Sequence, residues 1–299
     1  MTPEGVLILG GPTCSGKTEL ALALAERYGA EIVGADSRQI YRGMPIGTAA
    51  PSAEDLARAR HHLVGFLDPR ERYSAARFAA DAVAAIADIR ARGRRAIVAG
   101  GTGFYLRALS GDVALAPARD EFVRARLARE AATHPPEFLH GWLAVRAPAR
   151  ARVLAPGDRY RVTRALEIAL AGESGASPTP AASLRAAGVP FAKVALDVAV
   201  EVVEARIEAR VDAMLAAGLL DEAEAIGADA VAADAVGYPQ ALAYLSGFTT
   251  FGELRAALAR ATRRYAKRQR TWFRTEPDVV WLPPADVVCF AERRLGWRV

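Results

Sequence analysis

A glycine-rich segment near the N-terminus has the residue types and spacing that bind phosphate. The pattern G-x-x-x-x-G-K-[ST] is matched by Gly11, Pro12, Thr13, Cys14, Ser15, Gly16, Lys17 and Thr18. Glycines let the backbone wrap an anion, and N–H groups at the start of the next helix donate to it. In this pattern the lysine reaches the terminal phosphate and the threonine hydroxyl holds Mg²⁺. The segment therefore predicts a site for a phosphorylated ligand.

A run of polar residues follows the second apolar segment, residues 31–35. It reads Asp36, Ser37, Arg38 and Gln39. A carboxylate at the carboxyl end of a strand can take a proton from an attacking amine or hydroxyl. Four hydrogen-bonding side chains in a row also suit recognition of a base edge. The alternative is that Asp36 or Ser37 caps a turn or a helix.

The third apolar segment ends in Gly100-Gly101-Thr102-Gly103. Glycines there bring the backbone close to a ligand, and the Thr102 hydroxyl could orient an acceptor; a plain glycine turn is the alternative. Nucleotide-hydrolysing proteins with a phosphate loop hold Mg²⁺ with an acid on a second strand. This strand carries no such acid, and the sequence has no guanine-reading N-K-x-D motif. A diphosphate ester that is not a nucleotide therefore suits the phosphate loop better than ATP or GTP.

The segment 255–275 holds eight basic residues and no acidic one. Helical spacing places four of them on one face: Arg263, Lys267, Arg270 and Arg274. Three aromatic residues are interleaved with them: Tyr265, Trp272 and Phe273. Such a face could track a phosphate backbone and offer rings for stacking. The alternative is a solvated basic helix whose aromatic residues pack into the core.

Two further arginines, Arg206 and Arg210, are spaced one helical turn apart. Together they could clamp a phosphate. Pairing with Glu204 or Asp212, or simple solvation, is the alternative.

Short apolar runs alternate with helical segments along most of the chain. The runs are 6–10, 31–35, 95–101 and 191–198, and helical segments include 17–28 and 75–92. This alternation predicts an α/β fold whose parallel sheet is covered by helices on both faces. Ligands then bind at the carboxyl ends of the strands.

The stretch 115–171 has helical spacing and no strand-like run, and prolines at 135, 136 and 156 interrupt it. We predict a helical insertion there, followed by a loop over 172–190 that contains Pro178 and Pro180. Residues 1–114 and 172–299 would form the core, with mainly helical structure in the last third.

Composition limits the class of protein. The 299 residues carry a net charge of +5, which is compatible with a polyanionic partner. Two cysteines cannot form a disulfide framework, and no N-terminal segment reads as a signal or a membrane span. We expect a cytoplasmic protein without a membrane association.

Together these segments resemble the tRNA dimethylallyltransferase (tRNA isopentenyltransferase) family in its bacterial form. The matching pieces are 11–18, 35–44, 46–48, 61–63, 67–69, 73–75, 100–103 with Tyr105, Arg161 with 164–167, 206–207, 210–211, 218–219, 237–238, 266–269 and 271–274. They span nearly the whole chain in the family's order, and the run 36–41 is more specific than the phosphate loop.

The resemblance implies a P-loop NTPase-like core whose helical insertion grips the tRNA anticodon stem-loop. With Mg²⁺, such an enzyme transfers a dimethylallyl group from dimethylallyl diphosphate to N6 of adenine 37. The tRNAs concerned read codons that start with U, and diphosphate is released. We expect a monomer.

The family's functional residues map onto positions of this sequence. Asp36 would be the general base and Thr102 would lie near the reacting adenine. Lys17, Thr18 and Arg210 would stabilise the departing diphosphate. Contacts with tRNA would come from Asp36, Ser37, Arg38, Gln39, Thr102, Arg124, Tyr160, Arg161, Val162, Thr163 and Arg164, and the basic helix adds Lys267 and Arg270.

Three other functions share part of this pattern. An adenylate isopentenyltransferase prenylates free AMP, ADP or ATP, but it needs neither a helical insertion nor a basic C-terminal helix. A small-molecule P-loop kinase would transfer a phosphoryl group from ATP. A non-enzymatic RNA-binding protein would have no use for Lys17, Thr18 and Asp36 together.

Overall fold

The structure, a computed structural model, describes residues 5–115, 120–173 and 182–299. The chain divides into two compact units, Met1–Val113 with Ala181–Val299, and Ala114–Pro180. The division falls later than the predicted boundary at 172, because a helix continues to Glu173. Pro178 and Pro180 of the predicted loop lie outside the described residues.

The first unit contains a sheet of six strands. They are β1 Val6–Gly10, β2 Ala30–Gly34, β3 His61–His62, β4 Arg95–Ala99, β5 Phe191–Leu196 and β6 Val279–Leu282. The order is β3-β2-β4-β1-β5-β6 and every neighbouring pair is parallel. The prediction of a parallel α/β sheet is confirmed, while β3 and β6 were not predicted.

Helices of the first unit connect and cover these strands. They are α1 Lys17–Tyr28, α2 Pro45–Thr48, α3 Ala53–Arg58, α4 Ala75–Ala91, α5 Gly103–Ser110, α10 Val200–Ala216, α11 Leu219–Ile226, α12 Tyr238–Leu245, α13 Phe251–Arg274 and α14 Val287–Leu295. Helices of the second unit are α6 Glu121–Thr133, α7 Pro136–Arg146, α8 Pro148–Ala151 and α9 Arg159–Glu173.

Strand β1 shows why the sheet needs helices on both faces. All five of its residues are buried, and successive side chains point to opposite faces. Leu7 and Leu9 pack in the cluster that contains α1 and α14, whereas Val6 and Ile8 pack in the cluster that contains α4 and α5. The central strands therefore read as continuous apolar runs, and β1, β2, β4 and β5 were predicted from that pattern.

The second unit has its own small core, in which Leu127, Leu143 and Leu166 are completely buried. Its described residues are helical with short connections, as predicted for the insertion. Helix α6 ends before Pro135 and α7 begins at Pro136, so the two prolines break the helix as expected. None of the described helices combines the length and apolar composition needed to cross a bilayer.

Candidate functional site

A cavity of about 500 Å³ opens at the carboxyl ends of β1, β2 and β4. This is the edge at which open α/β sheets bind ligands, and the volume suits a small organic molecule. The cavity lies within the first unit. The predicted site residues that line it are Thr13, Cys14, Gly16, Lys17, Thr18, Asp36, Ser37, Arg38, Gln39 and Arg210.

The phosphate loop joins β1 to α1. Gly16 has φ +91°, and Cys14 has φ +61°, a left-handed conformation that favours glycine. The Lys17 ammonium donates to the Pro12 carbonyl at 2.6 Å. Burial lowers the pKa of Lys17 to about 8, an effect that the nearby Asp36 carboxylate opposes. A bound polyanion would offset that burial and favour the charged ammonium.

Helix α10 brings its two arginines to the phosphate loop. Arg210 donates to the Thr13 hydroxyl at 3.1 Å and lines the cavity. Arg206, one turn earlier, donates to the Cys14 carbonyl at 3.3 Å. Arg210 thus presents a guanidinium to the anion site, while Arg206 braces the strained turn of the loop.

Asp36 caps the turn after β2 and also lines the cavity, while its role as a base stays a prediction. Its Oδ1 accepts a hydrogen bond from the Arg38 N–H at 2.9 Å, which stabilises the turn after β2. The same side chain lines the cavity beside Lys17. Asp36 therefore shapes its own loop and also presents a carboxylate to a ligand.

Thr102 supports this loop from the neighbouring strand end. Its hydroxyl accepts a hydrogen bond from the Ser37 N–H at 2.9 Å, and its own N–H donates to the Ala35 carbonyl at 3.2 Å. A side chain at Gly100 would lie 2.1 Å from the Ala35 oxygen, so only glycine permits this approach. Thr102 is thus hydrogen-bonded directly to the two residues that flank Asp36.

The neighbouring polar residues already have partners within the protein. The Gln39 amide donates to the Thr48 and Ala49 carbonyls at 3.1 and 2.9 Å. Arg38 forms an ion pair with Asp234 at 2.8 Å. Base recognition by these side chains stays a prediction.

The basic helix α13 differs from its predicted arrangement. Arg263 pairs with Glu208, and Arg270 donates to the Val198 carbonyl at 3.2 Å. These two residues therefore do not form a free cationic face with Lys267. The predicted tRNA contact of Lys267 rests on a side chain that is exposed.

The aromatic residues of α13 take three different environments. Phe273 is buried in the core, and Trp272 packs against Phe104 and beneath the Arg107 guanidinium. Tyr265 lines the cavity, where burial raises its pKa and keeps the phenol protonated. Only Tyr265 of the three therefore reaches the site.

Sequence reasoning gave no role to several residues at the cavity. Gln269 on α13 forms hydrogen bonds with the phosphate loop, at Thr13, and with the loop after β4, at Gly101. Gln269 and Arg268 both line the cavity. Larger apolar side chains form another part of the wall: Val211, Met214, Val236 and Leu258. Gly237-Tyr238 was noticed only as part of the resemblance, because spacing alone does not bring distant helices to one cavity.

The predicted contacts of the insertion lie on α6 and α9 of the second unit. Tyr160 and Arg161 are exposed. Arg124 and Arg164 form ion pairs within their own helices, with Glu121 at 3.7 Å and Glu167 at 2.6 Å.

The predicted tRNA contact of the Val162 side chain is wrong. Its side chain is completely buried in the core of the second unit, so it is not available to a ligand. Thr163 is half-buried.

Thr18 is the residue that fits Mg²⁺. Its side chain is exposed at the start of α1 and lines the cavity, and a hydroxyl oxygen is the kind of ligand that Mg²⁺ accepts. Among the described residues no group of three or more His, Cys, Asp or Glu could hold a metal ion by itself.

Comparisons with known proteins agree on one family. The sequence profile of the IPP transferase family matches residues 39–276. A tRNA dimethylallyltransferase of Anaeromyxobacter sp. (strain K) is 48% identical, covering 97% of each chain. A crystal structure of a full-length tRNA isopentenylpyrophosphate transferase from Bacillus halodurans has a TM-score of 0.70 and 34% identity. It covers 98% of this chain and 97% of that one. A tRNA delta(2)-isopentenylpyrophosphate transferase from Staphylococcus epidermidis has a TM-score of 0.67 and 29% identity over 97% of this chain and 100% of that one.

Proposed function

We propose that this chain, which belongs to the IPP transferase family, transfers a dimethylallyl group from dimethylallyl diphosphate to N6 of adenine 37 in tRNA. Relatives of this chain are named tRNA dimethylallyltransferase, which supports the group transferred and the acceptor. The observation that carries the proposal is one cavity that joins an anion cradle, a carboxylate and an apolar wall. These three features match the diphosphate, the amine and the prenyl group of the reaction.

The cations of the cavity act on the leaving group. As the allylic C–O bond breaks, its electron pair leaves with the diphosphate, and positive charge develops on the allyl carbon. Lys17, Arg210 and the N–H groups of the phosphate loop stabilise the growing negative charge on the departing oxygen. Mg²⁺ at Thr18 would neutralise further phosphate charge. Thr13 keeps the Arg210 guanidinium directed at the loop.

The carboxylate acts on the acceptor. The exocyclic amine of adenine is a weak nucleophile, and it loses a proton as the new N–C bond forms. Asp36 lies at the carboxyl end of β2 and lines the same cavity, so it can accept that proton. Thr102 accepts the Ser37 N–H and donates its own N–H to the Ala35 carbonyl, and these two hydrogen bonds keep the turn that carries the carboxylate in place.

The apolar wall provides for the five-carbon group. Val211, Met214, Val236 and Leu258 exclude water from the region where the allyl cation would otherwise be hydrolysed. A nucleoside triphosphate has no comparable apolar tail. This wall therefore favours a prenyl diphosphate over the ATP of a small-molecule kinase.

Recognition of tRNA is the remaining part of the proposal. Exposed Tyr160 and Arg161 on the insertion and Lys267 on α13 would contact the anticodon stem-loop. The base must leave the loop stack to reach Asp36, as in other enzymes that modify bases. Preference for codons that start with U, the cytoplasmic location and the monomeric state stay predictions.

The test is transfer of a labelled dimethylallyl group to unmodified tRNA in the presence of Mg²⁺. A tRNA identical except for guanine at position 37 is the matched acceptor control, and AMP tests the adenylate alternative. Asp36→Asn keeps an oxygen for the Arg38 N–H but removes the base, whereas Asp36→Ala removes both.

We expect label only on the tRNA with adenine 37, and a rate reduced roughly 10²–10⁴-fold in Asp36→Asn. Label on AMP alone would identify an adenylate isopentenyltransferase. Phosphoryl transfer from ATP without prenyl transfer would identify a kinase. Full activity of Asp36→Asn would refute its role as the base.

A further inference from the structure

We propose that Gln269 is a positioning residue that fixes the distance between the leaving-group loop and the acceptor-side loop of the active site. The inference rests on the proposed prenyl transfer. It concerns a residue of α13 that lies in the arginine-rich segment and carries no charge.

One side-chain amide connects the two loops. Its Oε1 accepts a hydrogen bond from the Thr13 N–H of the phosphate loop at 2.7 Å. Its Nε2 donates to the Gly101 carbonyl at 2.9 Å. Gln269 is 6% exposed; its bond to Gly101 is buried, and its bond to Thr13 is partly buried at the edge of the cavity. A buried amide with both partners satisfied is held in one orientation.

The Gly101 bond leads directly to the acceptor side. Thr102 follows Gly101 and receives the Ser37 N–H at 2.9 Å, next to Asp36. The Thr102 N–H donates to the Ala35 carbonyl on the other side of Asp36. A shift of Gly101 would therefore move the turn that carries the base.

Space around Gly101 is adapted to this amide. A side chain on Gly101 would place its first carbon 2.2 Å from Gln269 Nε2. Glycine at this position is thus what allows the amide to reach the Gly101 carbonyl. Helix α13 meets the site at this point with an uncharged side chain rather than with one of its many cations.

The amide is chemically specific because it accepts at one atom and donates at the other. An ionised glutamate accepts at both oxygens and would repel the Gly101 carbonyl. A protonated glutamate has a carbonyl oxygen and a hydroxyl donor, so it reproduces both bonds. Methionine has a similar length and forms neither. Comparing these variants therefore shows whether the two hydrogen bonds of residue 269 matter or only the volume of its side chain.

Charged groups around the cavity would shift the pKa of a glutamate at 269 in opposite directions. Lys17, Arg210 and Arg268 lower it, whereas burial and Asp36 raise it. Tyr265 on the same helix stays neutral because burial raises its pKa. Arg38 and Asp234 also line the cavity but pair with each other. Dividing the Gln269→Glu rate by the wild-type rate at the same pH removes the effect of titratable groups that both proteins share.

The experiment measures single-turnover transfer to tRNA by the full-length chain with saturating substrates. For Gln269→Met we expect a rate roughly 10–100-fold below wild type, because small misplacements of reacting groups are costly. The KM for dimethylallyl diphosphate should change less than about threefold, since Lys17 and Arg210 remain. For Gln269→Glu the ratio to wild type should rise at least about threefold from pH 9 to pH 5.5 as the carboxyl protonates.

A second readout does not depend on the reaction. Exchange of the Thr13 amide with deuterium should accelerate in Gln269→Met and stay close to wild type in Gln269→Glu, which keeps the acceptor. A wild-type rate in Gln269→Met would overturn the proposal, as would a Gln269→Glu ratio that follows Gln269→Met at every pH. An inactive wild type whose Thr13 exchange still accelerates in Gln269→Met would instead count against the proposed function and leave the hydrogen bond supported.

Discussion

A buried carboxylate on α11 holds one wall of the cavity, and its removal gives a sharp prediction. Glu222 Oε2 accepts the Ile46 N–H at 2.8 Å, and Oε1 accepts the Gly47 N–H at 2.7 Å and the Tyr238 hydroxyl at 2.6 Å. Gly47 lines the cavity, and a side chain there would meet the Tyr238 ring at 2.7 Å. The carboxylate thus fastens α2, α11 and α12 together.

The cost of Glu222→Gln follows from this geometry. A glutamine has one acceptor oxygen, so it can keep Gly47 and Tyr238 but must present its NH₂ to the Ile46 N–H. The lost charge-assisted bond and the unsatisfied N–H together cost about 2–4 kcal/mol of the free energy of unfolding. Tyr238→Phe removes a single donor and leaves the carboxylate its two backbone partners. This control breaks one charge-assisted bond, so it should cost about 1.5–3 kcal/mol but leave the Ile46 N–H bonded.

Urea unfolding and amide exchange together measure this effect. We expect Glu222→Gln to lower the unfolding free energy and to accelerate exchange at Ile46, and Tyr238→Phe to leave Ile46 protected. The double variant should lose less than the sum of the single variants, because the groups share one carboxylate. A loss below about 0.5 kcal/mol in Glu222→Gln, with Ile46 still protected, would refute the reasoning.

Three further outcomes follow from the contacts. Arg210→Gln should lower kcat/KM for prenyl transfer roughly 10²-fold, because the Arg210 guanidinium lines the cavity beside the phosphate loop. Arg206→Gln should lower kcat/KM much less, and equal losses in the two variants would contradict this reasoning. Gly101→Ala should reduce the transfer rate by displacing the Gln269 amide, whereas Gly141→Ala, with open space around it, should not. Hydrogen bonds from Arg92 lower the pKa of Glu31 to about 2 from 4.5, so its stabilising contribution is present above pH 4.5 and is lost as pH falls towards 2. Acid unfolding monitored by circular dichroism should therefore show a smaller loss between these pH values in Glu31→Gln than in wild type.

The sequence predicts the central sheet well because its strands are buried on both faces. β1 was predicted with the observed bounds, and β2 was predicted within one residue at each end. β3 contains only two residues, and β6 lies at the edge of the sheet and is partly exposed. β3 is too short to show a pattern, and the short apolar run of β6, Val279–Leu282, was not predicted to be a strand.

Some residues of the candidate site could be predicted from local sequence, and others only from the folded structure. Lys17 and Asp36 follow strands directly, so parallel topology brings them to one edge. Gln269 could not be assigned, because a polar residue among arginines on a helix reads as solvent-exposed. Arg270 was placed on a free face for the same reason, and its bond to the Val198 carbonyl appears only in the folded chain.

The end of β4 explains why this phosphate loop suits prenyl rather than phosphoryl transfer. Nucleotide-hydrolysing relatives of the fold place a metal-binding acid on a second strand beside the phosphate loop. Here β4 is adjacent to β1 and ends at Ala99, and any side chain on the next residue, Gly100, would collide with the Ala35 carbonyl. The same close contact brings the end of β2 towards the cavity, so Asp36 supplies a carboxylate suited to an incoming amine. Gly100, directly after β4, therefore leaves no room for such an acid at its position, and the same contact holds the end of β2 and Asp36 close to the cavity.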